Sequence, residues 1–385
     1  MSANPLAVTP PAAAESLAVR RLQLTDFRNY ASLRLSLEAT SVVLTGPNGA
    51  GKTNLLEALS LLVPGRGLRR AKIASLARQE AAQGLWALAV GVQTPSGTVE
   101  VGIGRDPKTC ESGRDRRLLR INGQDSRSQA ALGEVLYASW LTPEMDRLFL
   151  EGPSARRRFV DRMAFGFDPA HANRLADYGR VMRERTRLLV EGPSDPGWLD
   201  ALEETMAETG VAIAGTRCAY LRHLSEAVAE ATGPFPGVAI EIRGLLEDGL
   251  AEETPAGVLA RYRARLADLR RRDAEAGLAT AGPHRSDLIV RHRTKDMPAG
   301  ECSTGEQKAM LIAMLLADAR LQRAARGAPP LLLFDEVAAH LDSARRQALF
   351  EAIEALGAQA WMTGTEASLF RPLKDRAQFF RVLDG

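Results

Sequence analysis

Apolar and polar residues alternate in the first 150 residues as they do in half-buried strands. Residues 19–24 and 33–37 alternate with a period of two. Ser41–Thr45 is instead an apolar run that ends at a glycine, which is typical of a buried strand. A helix is expected over 52–63, where Pro64 and a glycine stop it. This part of the chain is therefore predicted to be rich in sheet, with one early helix.

The pattern changes after Gly152 and again after Gly282. Residues 154–277 are mostly helical in pattern, but the apolar stripe of 198–231 lacks sustained heptads, so we expect packed helices and no coiled coil. Strands and helices alternate again from Gly282 onward. We therefore predict an α/β fold built from both ends of the chain, with an inserted, mainly helical second domain. The expected parts are a disordered extension (1–17), the N-terminal part of the α/β domain (18–151), the helical insert (152–279) and the C-terminal part (280–385).

Composition excludes several classes of protein. The 385 residues are 45% hydrophobic and 25% charged, which excludes wholesale disorder. The longest apolar run, 309–317, is too short for a bilayer span, which needs about 20 residues. The first residues do not resemble a signal peptide. Three widely spaced cysteines indicate neither a disulfide scaffold nor a zinc site, so the expected location is the cytoplasm, with no membrane partner.

The segment 46–53 matches the phosphate-loop pattern GxxxxGK[ST]. It follows a predicted strand and opens a predicted helix, which is the context that this motif requires. Its glycines allow backbone N–H groups to surround phosphates, Lys52 reaches the β- and γ-phosphates and supports catalysis, and Thr53 binds Mg²⁺. The chain has no Asn-Lys pair for guanine recognition, so ATP is favoured over GTP. The predicted nucleotide-binding residues are Gly46, Pro47, Asn48, Gly49, Ala50, Gly51, Lys52 and Thr53.

Two acidic residues follow a second buried strand, at 329–334. Asp335 at its end is the predicted second protein ligand of Mg²⁺, and Glu336 is the predicted catalytic residue that polarises the attacking water.

A third motif lies 32 residues before Asp335 and consists of Ser303, Gly305 and Gln307, immediately before an apolar helix. A serine and a glycine at a helix start can bind an anion, although in isolation a plain helix cap is the favoured explanation. The order of the three motifs resembles that of ABC-type ATPase heads. In such a head, Ser303, Gly305 and Gln307 of one subunit would complete the γ-phosphate site of the other. The strand that ends at Thr363 lacks the histidine common at that position in these proteins.

Several further segments resemble the RecF family of bacterial gap-repair proteins, from about residue 22 to 383. Residues 24–30 (LTDFRNY) are similar to its opening motif, and 141–145 with 156–161 to its mid-chain signature. Residues 282–288 (GPHRSDL) are similar to another family box, with Ser286 where an acid is usual. Glu336 and His340 stand where many members have Asp and Glu.

The resemblance implies an ATP-binding protein of DNA replication, DNA repair and the SOS response. It would bind single-stranded or gapped DNA without sequence preference and act with RecR and RecO to load the recombinase. It also implies an ATP-dependent homodimer whose weak, DNA-stimulated hydrolysis serves as a switch. An ABC-type cassette of another system, such as a transporter subunit, remains the alternative.

Charge is almost balanced, at +3, but 44 of the 50 basic residues are arginine. They concentrate in four clusters, at 66–72, 114–120, 156–158 and 261–272. Taken alone, each cluster is better explained as an ordinary solvated face than as a DNA contact. We rank 66–72 and 114–120 first as DNA contacts, and expect 156–158 to be structural or to pair with nearby acids.

Overall fold

The computed structural model describes residues 17–110, 116–126, 128–192, 195–230 and 232–383. Residues 1–16 of the expected extension lie outside this part, and so does Arg114. Leu17 does not belong to an extension, because it is 2% exposed and packs in a hydrophobic core. In chain order the strands are β1 (Ala18–Phe27), β2 (Tyr30–Ser36), β3 (Ser41–Thr45), β4 (Ala87–Thr94), β5 (Gly97–Arg105), β6 (Arg117–Ile121), β7 (Gln124–Asp125), β8 (Ala138–Leu141), β9 (Val238–Arg243), β10 (Asp287–His292), β11 (Met297–Pro298), β12 (Leu331–Phe334), β13 (Ala360–Gly364) and β14 (Ala377–Arg381).

The helices alternate with these strands at both ends of the chain and follow one another in its middle. They are α1 (Lys52–Ser60), α2 (Pro107–Cys110), α3 (Ala130–Val135), α4 (Pro153–Phe167), α5 (His171–Glu191), α6 (Pro196–Val228), α7 (Leu245–Glu252), α8 (Pro255–Asp268), α9 (Arg270–Ala276), α10 (Thr304–Arg326) and α11 (Ser343–Leu356). Helix α1 ends at Ser60, three residues before the predicted end. None of the helices among the described residues has the length and apolar composition that a membrane crossing requires.

A parallel sheet with the order β14-β3-β13-β12-β8 forms the centre of the α/β fold. Its strands come from both ends of the chain, as predicted: two belong to the first part and three to the last. Its central strands are buried on both faces, because helices pack against them; β12 reads Leu-Leu-Leu-Phe and is entirely buried. The carboxyl ends of β3, β12 and β13 consequently meet at one edge.

A second, antiparallel sheet has the order β2-β1-β4-β5-β6-β7. Alternation along β1 and β4 directs Leu22, Leu24, Leu88 and Val90 into a core shared with α1 and with β3. The sheet therefore covers the helix that leaves the phosphate loop.

Helices α4–α9 occupy the predicted insert, and β9 lies within it. Strand β9 pairs with β10, so the insert is joined to the C-terminal part by a three-stranded sheet of order β11-β10-β9. Tyr178, Met206 and Tyr262 belong to a separate hydrophobic cluster between α5, α6 and α8. Helix α4 and the end of α6 instead pack in one core with α10.

Candidate functional site

The phosphate loop between β3 and α1 has a backbone that only glycine can follow at two positions. Gly46 (φ 150°) lies so close to Val382 that a β-carbon would clash with the Val382 carbonyl oxygen. Gly51 (φ 106°) lies against Asn29 and Tyr30 in the same way. The loop is therefore closely packed on its outer side, and its backbone turns as a phosphate-binding loop requires.

Lys52 lies across this loop. Its Nζ donates hydrogen bonds to the carbonyl oxygens of Gly46 at 2.7 Å and Pro47 at 2.8 Å, and the side chain is buried. An ammonium group held over the loop is in position to bind phosphate oxygens there.

Asp335 joins the phosphate loop at the end of β12. The hydroxyl of Thr53 lies 3.0 Å from both of its carboxylate oxygens. A hydroxyl and a carboxylate are the oxygen donors that Mg²⁺ prefers, and Mg²⁺ at nucleotide sites commonly takes few protein ligands besides phosphates and water. The two residues predicted to hold Mg²⁺ are thus adjacent, and their chemistry fits the ion.

Thr363 is part of this group although the sequence analysis did not select it. Its Oγ1 donates to Asp335 Oδ1 at 2.7 Å and accepts the Glu336 backbone N–H at 2.9 Å. The residue is buried at the end of β13, beside both β3 and β12. The only sequence signal was its position at the end of an apolar strand, where the usual histidine is missing.

Glu336 is half-buried and follows Asp335 with a left-handed backbone (φ 51°). This conformation is unfavourable for a residue other than glycine and is concentrated at functional sites. The hydrogen bond from its N–H to Thr363 holds it in place. A carboxylate fixed one residue beyond the proposed metal ligand is suited to orient water.

Ser303 begins α10 with a capping box. Its Oγ accepts the Glu306 N–H, and Glu306 in turn accepts the Ser303 N–H at 3.1 Å. The side chain of Lys295 and, to a smaller extent, the hydroxyl of Ser303 also bond to Glu306, and together they lower the pKa of this carboxyl to about 2. Ser303 itself is exposed. The helix start is therefore rigid and accessible.

Gly305 and Gln307 have different surroundings. Gly305 is half-buried, and its carbonyl accepts a long hydrogen bond (3.4 Å) from Arg345 in α11. Gln307 is buried and donates to the Cys302 carbonyl at 2.8 Å, so its amide holds its own loop. No hydrogen bond among the described residues connects 303–307 with the phosphate loop or with Asp335. Hydrogen bonds thus connect Thr53, Asp335, Thr363 and Glu336 into one group, which Ser303–Gln307 do not join.

The opening segment 24–30 supports the phosphate loop. Arg28 makes two hydrogen bonds, of 2.8 and 2.7 Å, to the buried carboxylate of Glu57 in α1. Asn29 donates to the Ala50 carbonyl and accepts from Asn54. These contacts fix α1 from outside, which explains physically why Arg and Asn stand in that segment.

The segments 156–161 and 282–288 meet at the junction of the insert with the α/β fold. Here Asp161, Arg217, Glu247 and Ser286 form a buried network, which we call the junction network. Arg217 binds Asp161 at 2.8 and 2.9 Å, the Pro283 carbonyl at 2.6 Å, and Glu247 at 3.4 Å. Burial alone would raise the pKa of Asp161, but Arg217 and His171 outweigh it and hold that pKa below its ordinary value.

Ser286, which stands where an acid was expected, donates to Glu247 at 2.7 Å. Glu247 therefore supplies the buried carboxylate next to position 286. A hydroxyl suits position 286 because it can donate a hydrogen bond to that carboxylate.

The four arginine clusters differ in their exposure and in their ion pairs. In 156–158, Arg156 pairs with Asp287 at 2.7 Å, as expected of a structural cluster. In 261–272, four arginines form ion pairs. They are Arg261 with Glu253, Arg263 with Glu204, Arg270 with Asp200 and Glu203, and Arg271 with Glu275. The cluster 114–120 is not one surface, because Arg120 faces outward and pairs with Asp125 whereas Arg117 faces inward. In the 64–72 loop, the four basic side chains are exposed; they are Arg66, Arg69, Arg70 and Lys72.

Known proteins match almost the whole chain. The sequence model of the family described as "RecF/RecN/SMC N terminal domain" matches residues 18–382. The "DNA replication and repair protein RecF" of Mesorhizobium japonicum is 50% identical over 370 residues, which cover 95% of this chain and 96% of that protein. The protein of the same name from Rhizobium rhizogenes is 49% identical, over 95% of this chain and 97% of that protein. A solved structure of "the recombination mediator protein RecF-ATP in RecFOR pathway" has a TM-score of 0.81 at 22% identity, covering 93% of this chain and 94% of that one.

The fold and the candidate site together define an ABC-type P-loop ATPase head, with the sheet edge, phosphate loop, strand-end acids and separate serine-capped helix of that class. The similarity to the solved RecF structure shows the same fold. About half of the residues are identical to those of RecF relatives that are matched over nearly their full length. This identity assigns the chain to one family within the class of ABC-type ATPase heads. The chain belongs to the RecF family.

Proposed function

We propose that this chain is an ATP-dependent DNA-binding protein of recombinational repair and replication-fork maintenance. The observation that carries the proposal is the way in which the predicted ATP-binding residues are distributed. Lys52, Thr53, Asp335 and Glu336 are assembled in one place, whereas the exposed start of α10 at Ser303 makes no hydrogen bond to them among the described residues. A second copy related by a twofold axis would supply the missing half to each site.

Within each half-site the residues have distinct proposed roles. The loop from Gly46 to Thr53 binds the phosphates, and Thr53 with Asp335 holds Mg²⁺, which neutralises phosphate charge. Glu336 orients the water and Lys52 stabilises the transferring phosphoryl group. Because both copies must close around it, ATP favours the dimer, and the weak, DNA-stimulated hydrolysis then works as a switch.

The 64–72 loop is the proposed DNA contact. Its four exposed basic residues directly follow the turn after α1, so the loop is connected to the phosphate loop through one short helix. Arginine and lysine would bind backbone phosphates of single-stranded or gapped DNA and carry no sequence preference. Arg69 also bonds to Asn54 and Glu57 of α1, which connects this surface with the helix that leaves the nucleotide site.

The pathway is also part of the proposal. We propose that the protein acts in the cytoplasm with RecR and RecO to load the recombinase and thereby supports the SOS response. The relatives named for DNA replication and repair, and the solved structure described as a recombination mediator in the RecFOR pathway, support this assignment. The segment 152–279 is the proposed second domain.

The decisive experiment is a titration of a gapped DNA duplex with the protein in the presence of ATP, ADP or no nucleotide. We expect the tightest binding with ATP, and an affinity that falls as salt rises because phosphate contacts release counterions. Affinity that is the same in all three nucleotide states would contradict the proposal. Stable copurification with a membrane protein, together with no DNA binding, would favour the transporter alternative.

A further inference from the structure

Arg117 is an inward-facing arginine without a carboxylate partner among the described residues. It begins β6, and alternation places it on the same face as the buried Leu119, whereas Leu118 and Arg120 face outward. Its Nε and Nη2 are buried and have no hydrogen-bond partner, and Nη1 reaches only the Gly65 carbonyl, at 3.4 Å. Burial lowers the pKa of its guanidinium to about 10. The group stays charged at neutral pH.

A cavity of about 190 Å³ lies beside this guanidinium, under the 64–72 loop. Arg66 and Lys72 also line it, and neither forms an ion pair with a described residue. Apolar walls come from Ile73 and Leu76, and none of the lining residues is acidic. Three cations therefore surround one concave space that contains no protein anion.

Such a cavity is suited to bind an anionic ligand, because the protein supplies no negative charge of its own there. A buried, unpaired guanidinium is unfavourable, and a bidentate oxyanion removes that penalty. The planar fork of arginine fits phosphate, and a phosphate monoester has a charge of about −1.5 to −2 at pH 7. A phosphodiester inside a strand is flanked by sugars on both sides, so it would not reach a guanidinium whose Nε and Nη2 are buried. A terminal phosphate can enter end-on.

We propose that Arg117, Arg66 and Lys72 form a pocket for a terminal phosphate of DNA, such as the one at the edge of a gap. This inference rests on the proposed DNA-binding function. The exposed Arg69 and Arg70 of the same loop would bind the adjoining backbone. The pocket would then distinguish a phosphorylated strand end from a hydroxyl end.

The test compares gapped duplexes that differ only in the strand ends at the gap, which carry a 5′-phosphate, a 3′-phosphate or only hydroxyl groups. With ATP present, we expect one phosphorylated end to raise the affinity of the wild type about tenfold. Arg117→Gln should lose this increment and bind phosphate-ended and hydroxyl-ended duplexes with the same affinity. Arg120→Gln, on the outer face of the same strand, is the matched control and should keep the increment.

Each outcome has one meaning. Wild-type binding that is equal for all ends overturns the pocket and leaves the proposed DNA binding intact. An Arg117→Gln variant that weakens binding to every duplex equally also overturns it, because the residue then serves the backbone or the fold. Absence of wild-type binding to any gapped duplex contradicts the proposed function itself.

A second measurement needs no DNA. Inorganic phosphate should raise the melting temperature of the wild type and of Arg120→Gln more than that of Arg117→Gln, since a ligand that binds the folded state stabilises it. The phosphate loop contributes equally in all three proteins. An equal response of the three proteins overturns the inference.

Discussion

Thr363 connects the two acidic residues of the candidate site through one hydroxyl group. The hydroxyl donates to the proposed metal ligand Asp335 and accepts the backbone N–H of Glu336. It therefore orients a carboxylate and stabilises a left-handed backbone at the same time. A valine at this position would have almost the same shape but neither hydrogen bond.

We predict that Thr363→Val lowers ATP turnover about tenfold or more and lowers stability by about 1–3 kcal/mol. The variant leaves the Glu336 N–H without a partner and frees Asp335 to turn away from Thr53, and a lost hydrogen bond of this kind has that magnitude. Turnover measured against Mg²⁺ concentration should show a requirement for more Mg²⁺ than in the wild type. Thermal unfolding gives the stability.

Two further variants separate this role from general damage. Thr363→Ser keeps the hydroxyl and should recover most of the turnover and the normal Mg²⁺ dependence. Thr365→Val changes an exposed threonine two residues away and should be neutral. If Thr363→Val has the Mg²⁺ dependence of the wild type, the hydroxyl does not position the metal ligand.

The contiguous motifs were visible in the sequence, but the contacts between distant segments were not. Residues 46–53 and Asp335 were identified because a phosphate loop and a strand-end acid follow local rules. Thr363 was not, because its place depends on the parallel register that sets Phe334 beside Met362 and Thr45 beside Gly364. The inward direction of Arg117 was missed for a similar reason, since a run of arginines does not reveal which of them face the core.

At the scale of elements, the junction network shows why the insert and the α/β fold belong together. Arg217 in α6 binds Asp161 in α4, the Pro283 carbonyl before β10, and Glu247 in α7. The buried guanidinium of Arg217 thus joins three helices to the segment that leads into β10. Its removal would leave two carboxylates buried without their arginine.

We predict that Arg217→Met destabilises the protein by about 3–5 kcal/mol at pH 7.5, the usual loss when one partner of a buried ion pair is removed. In the wild type the pKa of Asp161 is lowered on folding, so its contribution is complete above about pH 4 and is lost as the pH falls through the folded value. In the variant, burial dominates and raises that pKa. The loss should therefore be smaller at pH 5 than at pH 7.5, as measured by urea unfolding.

Arg187→Met is the matched control, because this arginine pairs with Glu184 and Glu191 on the exposed side of α5. An exposed pair contributes about 0–1 kcal/mol, so the change should be small at both pH values. A loss for Arg217→Met that does not depend on pH would mean that packing, and not the buried charges, accounts for its effect.

The order of elements was largely predictable, whereas their association was less so. The alternating ends and the helical middle were evident from periodicity, and β9 was expected from its apolar alternation. Yet α4 and the end of α6 pack in the same core as α10, so these parts of the insert are inseparable from the α/β fold. Apolar stripes indicate that a helix face is buried but do not tell which partner covers it.

At the scale of the whole molecule, the start of α10 and the residues around the phosphate loop are two groups with no hydrogen bond between them among the described residues. Ser303 is exposed at the start of a helix whose capping box already satisfies its local hydrogen bonds. This helix start is therefore accessible to a second copy. Arg345 of α11 reaches the Gly305 carbonyl, so the segment after Glu336 contacts this helix start within the same chain.

We predict that wild-type protein sediments as a dimer with ATP and Mg²⁺, and that three variants change this in different ways. Lys52→Ala should stay monomeric because it fails to bind nucleotide. Ser303→Arg should bind ATP with wild-type affinity and still remain monomeric, because the long cationic side chain would block the partner's site. Glu336→Gln should lengthen the lifetime of the dimer, since it slows hydrolysis while keeping the shape of the side chain.

Normal dimerisation of Ser303→Arg would show that the start of α10 does not complete the ATP site of a partner. If the wild-type protein stays monomeric with both ATP and DNA present, the proposal that two copies complete each other's ATP sites is wrong.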